Sequence, residues 1–497
     1  MARLQVGSGV GQDAADQTSR RTGPDSTGHP LRSPFVERSP PYSGRRDRTP
    51  RPSPHVRLAA LAGRRVGVWG HGREGRAAVR AARAAGVAAV LVVDAVPPTG
   101  LPADVAAGTD VGLLAGCEVV LRSPGISPYR ADARALAATT TVTSGTALAL
   151  AEFGARSVPT LCVTGTKGKS TTSALAAAVL AAAGRPAVHA GNIGTPLLDV
   201  LLDGAVGDGT TLVVEVSSYQ AAAVDDFRGW GAVTSLAPEH LDWHGDVATY
   251  YRDKLHVFAG CGPGTVVVAP QARETALHHL DPAQLVDPGA VVPADLLAGF
   301  PAGHLPGLHN VANLHVALAA AVLAGADLDA RGDDVRAAVA AFRALPHRLA
   351  PVAVRDGVTF VDDTLSTTPV SVLAALDAFP GRPVTLVAGG QDRGLDYGDL
   401  ARSVVARGGG VRVVTVPDTG ARLAADVRAA AAAAGLPAPV TETTGLAEAV
   451  AEAVRTTPPG GVVLLSPGAP SYHRYRNYEE LADRYEQIVL AAGAERV

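Results

Sequence analysis

The run Val163-Thr164-Gly165-Thr166-Lys167-Gly168-Lys169-Ser170-Thr171-Thr172 constrains the fold more than any other stretch of this chain. An apolar segment, Ser157 to Val163, precedes it and predicts a strand; an Ala/Leu-rich segment, Thr172 to about Ala183, follows and predicts a helix. Strand, glycine-rich loop and helix in that order suit a phosphate-binding loop. The glycines let backbone N–H groups close around phosphate oxygens, Lys169 reaches the outer phosphates, and the Ser170 hydroxyl binds Mg²⁺. The general pattern has a further glycine five residues before Gly168, where this chain has Val163, so the loop is a shortened variant. The competing reading is a Gly/Thr-rich turn ahead of an ordinary helix.

The 497 residues, 47% hydrophobic and 18% charged, are enough for about three domains of ~100 to 200 residues each. A net charge of −3 gives no basic field, so neither nucleic acid nor an anionic membrane is expected as a partner. No apolar run reaches the ~18 residues that span a bilayer, and the N-terminus lacks the apolar core of a signal peptide. The expected location is therefore the cytoplasm. Cys117, Cys162 and Cys261 stand far apart without a CxxC pair, which argues against a disulfide framework or a zinc site. They are expected to be reduced and structural.

Among 44 basic residues only Lys167, Lys169 and Lys254 are lysines. Lysine offers what arginine lacks, a compact point charge or an amine that can lose its proton and react. Two of the three lie in the phosphate loop. The third, Lys254, is a candidate on that ground alone, against the alternative of chance retention.

Residues 1–56 are rich in Arg, Ser, Pro and Gly without apolar periodicity and are expected to be disordered. The remainder reads as α/β in three domains: a Rossmann-like domain at 57–150, a central phosphate-loop ATPase-like domain with a parallel sheet at 151–345, and a Rossmann-like domain at 346–497. In the first, the strand Arg65 to Trp69 runs into Gly70-His71-Gly72-Arg73-Glu74-Gly75, a helix, and the strand Ala89 to Val93 that ends in Asp94. That is GxGxxG in a βαβ setting with an acid about 20 residues on, a nucleotide-site fingerprint or a glycine turn that binds nothing. In the central part, predicted strands at Thr211 to Val214 and Gly231 to Leu236 deliver Glu215 and His240 at their C-terminal ends, where ligands of open α/β sheets collect. A predicted helix, Thr249 to Phe258, carries Lys254. In the last part, strands are predicted at Pro351 to Val354, Thr359 to Val361, Val384 to Gly390, Val411 to Val416 and Val462 to Leu465.

Glu215 suits Mg²⁺ binding beside Ser170, and His240 offers nitrogen to a second metal or to developing charge. The alternatives are a solvated strand-end acid and a hydrogen-bonded structural histidine. Lys254 is either a solvated face residue or an amine that CO₂ carbamylates, giving an anion that binds Mg²⁺.

These residues resemble the Mur ligases, which build the peptide of bacterial cell-wall precursors. The likeness runs from about residue 60 to the C-terminus with motifs in the expected order. Gly165, Thr166, Lys167, Gly168, Lys169, Ser170 and Thr171 resemble the family's ATP loop, and Gly191-Asn192-Ile193-Gly194 its substrate segment. Glu215 to Gln220, with Ser217, is similar to its magnesium strand; His240-Leu241-Asp242 and Lys254 are similar to its metal histidine and carbamylated lysine. Gly307-Leu308-His309-Asn310 with Asn313 resembles the adenine-side signature, and Leu345-Pro346-His347-Arg348 the start of the last domain. Asp363, Thr367, Arg393, Ser471 and Tyr478 lie in segments similar to those around the amino-acid site.

The resemblance implies an ATP- and Mg²⁺-dependent ligase that acts as a monomer on UDP-N-acetylmuramoyl-L-alanine and glutamate, with no nucleic-acid partner. It implies a first domain that holds the UDP group through Gly70, Gly72 and Asp94, with Asn192, Ser217 and Gln220 beside the substrate. Lys169, His240 and Lys254 would be catalytic; Asn313, Arg348 and Asp363 would join the loop in holding ATP; Ser170, Glu215, His240 and Lys254 would hold metal. ATP would phosphorylate the L-alanyl carboxylate, and the glutamate amine would attack the acyl phosphate. The usual D-glutamate-adding pattern has Asn at Lys167 and Lys at both Leu365 and Arg393. These departures favour L-glutamate, with D-glutamate as the alternative. Arg393 with Thr367 would hold the α-carboxylate, and Ser471 with the backbone near Tyr478 the side-chain carboxylate. Rival readings are a folylpolyglutamate-type amide ligase and a nucleotide-regulated binding protein.

Overall fold

The computed structural model describes residues 56–300, 305, 307–472 and 474–497. Apart from Val56, the tail expected to be disordered lies outside the described residues.

Three sheets follow one another along the chain. The first has five parallel strands, β1 Arg65–Trp69, β2 Ala89–Val93, β3 Val105–Gly108, β4 Val119–Arg122 and β5 Thr141–Thr143, in the order β3-β2-β1-β4-β5. The second has six parallel strands, β6 Thr160–Thr164, β7 Ala187–Gly191, β8 Thr211–Glu215, β9 Trp230–Val233, β10 Val266–Val268 and β11 Leu285–Val286, in the order β11-β10-β9-β6-β8-β7. Every residue of β6 and β8 is buried, as continuous apolar strands of a parallel sheet covered on both faces should be. One face joins a core with the first sheet, in which Val66 and Val68 meet Cys162 and Val214 in a single cluster. The other packs on the helices Lys169–Ala182 and Leu308–Leu323, where Leu175, Leu180 and Leu318 are fully buried. Each such leucine stabilises the fold by about 1.5–3 kcal/mol.

The third sheet contains β12 Ala350–Arg355, β13 Val358–Asp362, β14 Val384–Ala388, β15 Val411–Thr415, β16 Val440–Glu442, β17 Val462–Leu465 and β18 Glu495–Arg496, in the order β16-β15-β14-β17-β13-β12-β18. Its β12 pairs antiparallel with both β13 and β18, so this edge departs from an all-parallel Rossmann-like sheet. The cause is local. Asp356 and Gly357, both at positive φ, close a two-residue turn, and only an antiparallel partner can follow so short a connection.

Several element ends differ from the sequence reading for reasons visible in their caps. The phosphate-loop helix starts at Lys169 because Gly168, left-handed at φ 86°, is its N-cap. The helix that carries Lys254 spans Val247–Leu255, because the Asp246 carboxylate accepts the Thr249 N–H at 2.7 Å and sets the start. β9 ends at Val233, since Thr234 and Ser235 leave the ladder to hold the loop. All three cysteines are free and buried, as expected.

Candidate functional site

Strand register assembles the site. Val163 of β6 pairs with Glu215 of β8, Thr164 with Val233 of β9, and Gly191 of β7 with Glu215, so four strand ends open onto one edge. The loop Gly165 to Gly168 leaves that edge. Thr166 N–H donates to Ser235 O at 2.7 Å and Lys167 N–H to Ser235 Oγ at 2.8 Å. Gly165, at φ 148°, has the Thr234 hydroxyl where a Cβ would stand, and at Gly168 a Cβ would overlap Asn313 Oδ1. Both positions therefore require glycine. The Thr166 hydroxyl is a strut, donating to Ala237 O at 3.0 Å and lying 2.8 Å from the Tyr250 hydroxyl.

Two buried amines converge on one carbonyl. Lys169 Nζ donates to Gly165 O at 2.8 Å and to Thr166 O at 3.0 Å; Lys254 Nζ donates to Gly165 O at 2.9 Å and sits 4.9 Å from the centre of the Tyr250 ring. Burial lowers the Lys169 pKa, opposed by Glu215 and Glu239. It lowers that of Lys254 far more, with Lys169 adding to the effect. Burial thus favours the neutral form of this amine.

Glu215 is buried, its Oε1 accepting from Asn192 Nδ2 at 2.9 Å and its backbone carbonyl from Asn192 N–H at 2.9 Å. Its Oε2 and the Ser170 hydroxyl are both buried without a hydrogen-bond partner. Thr171, also buried, follows in the first helical turn, where free N–H groups and the helix dipole favour an anion. His240 is left-handed at φ 56° and its ring lies 4.9 Å from that of Tyr219. Burial lowers its pKa, so it offers a neutral nitrogen.

Sequence reasoning did not single out Glu239, which stands between two expected site residues. Its Oε1 is 2.7 Å from Lys167 Nζ and its Oε2 is 3.6 Å from His240 Nε2. Burial pushes its pKa up, but Lys167 and His240 outweigh this and leave it lowered. The available signal was its position, immediately before His240. Also unforeseen is a buried chain from Ser218 Oγ to His244 Nε2 at 3.0 Å and from His244 Nδ1 to Asp253 Oδ2 at 2.8 Å. Asp253 accepts in turn from the Tyr129 hydroxyl at 2.8 Å, tying the first sheet's loop to the helix of Lys254.

The first-sheet residues reach this edge through their neighbours. Gly70 and Gly72 frame the turn after β1, and Gly72 caps the helix Arg73–Ala84. Asp94 accepts from the N–H groups of His71 at 2.5 Å and Ala95 at 2.6 Å, so both its oxygens hold its own loops. The Arg73 guanidinium donates to Asn192 O, and Gln220 Nε2 donates to Glu74 Oε1 at 3.2 Å. Ser217 and Gln220 form a reciprocal cap on the short helix Ser218–Ala221.

On the third sheet, Arg348 acts on Lys169 through its charge, and its Nε is buried without a partner. Asp363 accepts from Ser466 Oγ at 2.7 Å and Leu349 N–H at 3.2 Å; burial raises its pKa to about 6. Asn313 donates to Asn310 Oδ1 at 3.0 Å. Tyr478 has its ring 5.3 Å from His347, and Arg348 and Arg73 both bear on its hydroxyl. Arg393 is exposed and its charge acts on Tyr219. Thr367 is half-buried ahead of the helix Pro369–Asp377, and half-buried Ser471 lines a cleft in the third sheet.

Among the described residues no group of three or more His, Cys, Asp or Glu is placed to hold a metal, and no helix is long and apolar enough to cross a membrane. The donor set at the loop is instead one hydroxyl, one carboxylate and two amines.

A phosphate loop on a parallel sheet, flanked by two further α/β sheets, defines a nucleotide-dependent enzyme class. The chain belongs to the Mur ligase family. The family model for the Mur ligase middle domain matches residues 163–284, and that for the Mur ligase, glutamate ligase domain matches residues 347–468. The chain is 42% identical over 465 residues to a UDP-N-acetylmuramoyl-L-alanine--L-glutamate ligase of Micromonospora sp., covering 87% of this chain and 98% of that one. It is 43% identical to the enzyme of the same name from Salinispora tropica, covering 87% and 99%. Among solved structures, UDP-N-acetylmuramate-alanine ligase MurC from Thermotoga maritima shares the fold at a TM-score of 0.53 and 16% identity, covering 86% of this chain and 100% of that one. MurF ligase from the same organism, in complex with ADP, does so at 0.53 and 14%, covering 88% and 97%.

Proposed function

We propose that this chain joins L-glutamate to UDP-N-acetylmuramoyl-L-alanine at the expense of ATP, a step of peptidoglycan precursor synthesis. The observation that carries the reading is two buried, unpartnered oxygens, Ser170 Oγ in the first turn of the phosphate-loop helix and Glu215 Oε2 at the end of the neighbouring strand β8. An orphaned buried carboxylate oxygen is costly unless a cation completes it. The names of relatives more than 40% identical across the chain supply the substrates.

The residues fit Mg²⁺: Ser170 and Glu215 would hold one ion with the nucleotide, and His240 with a carbamylated Lys254 a second. Bound there, the metal neutralises charge on the transferring phosphoryl group. Lys169 leaves its carbonyl acceptors to meet the outer phosphates, and the N–H groups at the start of its helix receive the same anion. The L-alanyl carboxylate attacks the γ-phosphorus, giving an acyl phosphate and ADP. The glutamate amine then attacks the acyl carbon, phosphate leaves, and the amine proton passes to solvent or base. Lys254 suits carbamylation, because burial favours its neutral amine, whose nitrogen adds to CO₂ as a proton departs.

In this reading the first domain takes the UDP group and the third brings glutamate and covers ATP. Asn313, Arg348 and Asp363 hold the nucleotide; Arg393 with Thr367 holds the α-carboxylate, and Ser471 with Tyr478 borders the side chain. The enzyme works as a cytoplasmic monomer.

ADP release is the test. It should require UDP-N-acetylmuramoyl-L-alanine and rise with L-glutamate, and the ligated product should form with L-glutamate in preference to D-glutamate. Release independent of both substrates would sink the ligase reading; product with D-glutamate alone would reverse the enantiomer.

A further inference from the structure

Resting on that ligase reading, we infer that Arg474 determines side-chain specificity by receiving the distal carboxylate of the incoming amino acid. The third sheet has a cleft at the C-terminal ends of β14, β15 and β17, where strand order reverses between β14 and β17, the usual ligand position in such sheets. Its walls are mostly apolar, with Val416, Leu446, Leu465 and Leu481. Its polar lining among the described residues is Gln391, Asp418, Ser471, Arg474 and Tyr475, of which Arg474 alone is a cation. A carboxylate entering an apolar cleft needs a charged, hydrogen-bonding partner, and a guanidinium offers a fork that matches it.

Arg474 is available for that task. Its Nη2 stands 3.5 Å from Asp418 Oδ1, beyond hydrogen-bonding range for a tight fork, and the two side chains are 49% and 42% exposed. An ion pair so loose and solvated is weak, so a second carboxylate competes for the guanidinium at little cost. The Arg474 and Tyr475 N–H groups donate to Ser471 O at 3.2 and 3.1 Å, and this turn brings the Ser471 hydroxyl and Arg474 to one cleft. Gln391, whose N–H donates to Pro470 O at 2.7 Å, also lines the cleft, and its Oε1 is buried without a partner. A half-turn of that amide presents Nε2 as a further donor.

The cleft also has the right neighbour. Gln391 lies two residues before Arg393, whose charge acts on Tyr219, and the Tyr219 ring packs against His240. One loop thus runs from the reaction centre to the cleft. An amino acid with its α-carboxylate at Arg393 extends its side chain toward Ser471 and Arg474.

The test compares Arg474→Gln and Arg474→Lys in the full-length enzyme, with L-glutamate or its neutral isostere L-glutamine as acceptor. Arg474→Gln should raise KM for L-glutamate about tenfold or more and cut the preference for L-glutamate over L-glutamine by a similar factor, as loss of a charged hydrogen bond does. KM for ATP should stay within about twofold, and Arg474→Lys should restore part of the preference. An unchanged preference, including one in which turnover falls equally with both acceptors, would overturn the proposal. If the unaltered enzyme formed product with neither L-glutamate nor D-glutamate, the ligase reading itself would fall.

Discussion

Replacing Lys254 by methionine separates chemistry from stability at one buried atom. Lys254 is 2% exposed, and its amine makes one hydrogen bond, to Gly165 O at 2.9 Å. Losing a neutral hydrogen bond costs about 0.5–1.5 kcal/mol, but Gly165 O keeps Lys169 as a donor at 2.8 Å and is not left unsatisfied. Methionine has nearly the same length and volume and removes a polar group from an apolar pocket, which offsets part of that loss. The net change should lie within about 1 kcal/mol, a Tm shift of no more than about 4 °C for a domain of this size. Ligation should fall at least about 10²-fold, the usual effect of removing one group that stabilises developing charge. Thermal unfolding of the free protein and ADP release measured together make the assay. Lys254→Arg should be equally inactive, and ¹³C-bicarbonate should give a carbamate resonance in the unaltered protein that neither variant shows. A methionine variant with a tenth or more of normal turnover would refute a chemical role. A Tm drop beyond about 10 °C would refute the stability argument.

Two further outcomes follow from the geometry. Gly168→Ala should cost about 1–2 kcal/mol for left-handed backbone and about 1 kcal/mol more for displacing Asn313 from Asn310, lowering thermal stability and raising KM for ATP. The double variant with Asn313→Ala should recover the second part but not the first, and simple additivity would show that the overlap is not felt. His347 is raised above 6.5 chiefly by its 2.8 Å hydrogen bond to Asp362. Its protonated form therefore stabilises the fold fully below the unfolded pKa of 6.5, and that contribution disappears as pH rises through the higher folded value. Tm measured from pH 6 upward should fall more steeply in the unaltered protein than in His347→Gln; parallel curves would deny the linkage.

What the chain discloses about itself depends on sequence distance. The phosphate loop, Glu215, His240 and Lys254 were legible because each sits at the end of a strand or on a helix that its own neighbours specify. Glu239 was within sight, next to His240, but nothing local shows that its other oxygen meets Lys167, 72 residues away. Asp94 was legible as the acid about 20 residues after the glycines, but its hydrogen bonds to the N–H groups of His71 and Ala95 are not readable from that spacing. The Ser218, His244, Asp253 and Tyr129 chain was invisible, since it joins residues from 9 to 124 apart whose only common property is burial together. The antiparallel edge of the third sheet was readable in principle from Asp356-Gly357, a pair suited to a tight hairpin turn.

Gly165 O links the two chemical halves of the site. Without a ligand it satisfies both Lys169 and Lys254, while Thr166 O takes a second bond from Lys169. Backbone carbonyls thus leave neither buried amine without an acceptor. In the proposed reaction, phosphate binding would withdraw Lys169 from two neutral acceptors to a charged one, exchanging ordinary hydrogen bonds for charge-assisted ones that are about twice as strong. Its departure leaves Gly165 O to Lys254 alone. The proposed carbamylation would change that amine to an anion-bearing group whose charge attracts Lys169, which would raise the tendency of Lys169 to stay protonated. The depressed pKa of Lys169 comes chiefly from burial, with the charges of Arg348 and Lys167 adding to it, and a negative charge on Lys254 would oppose that shift.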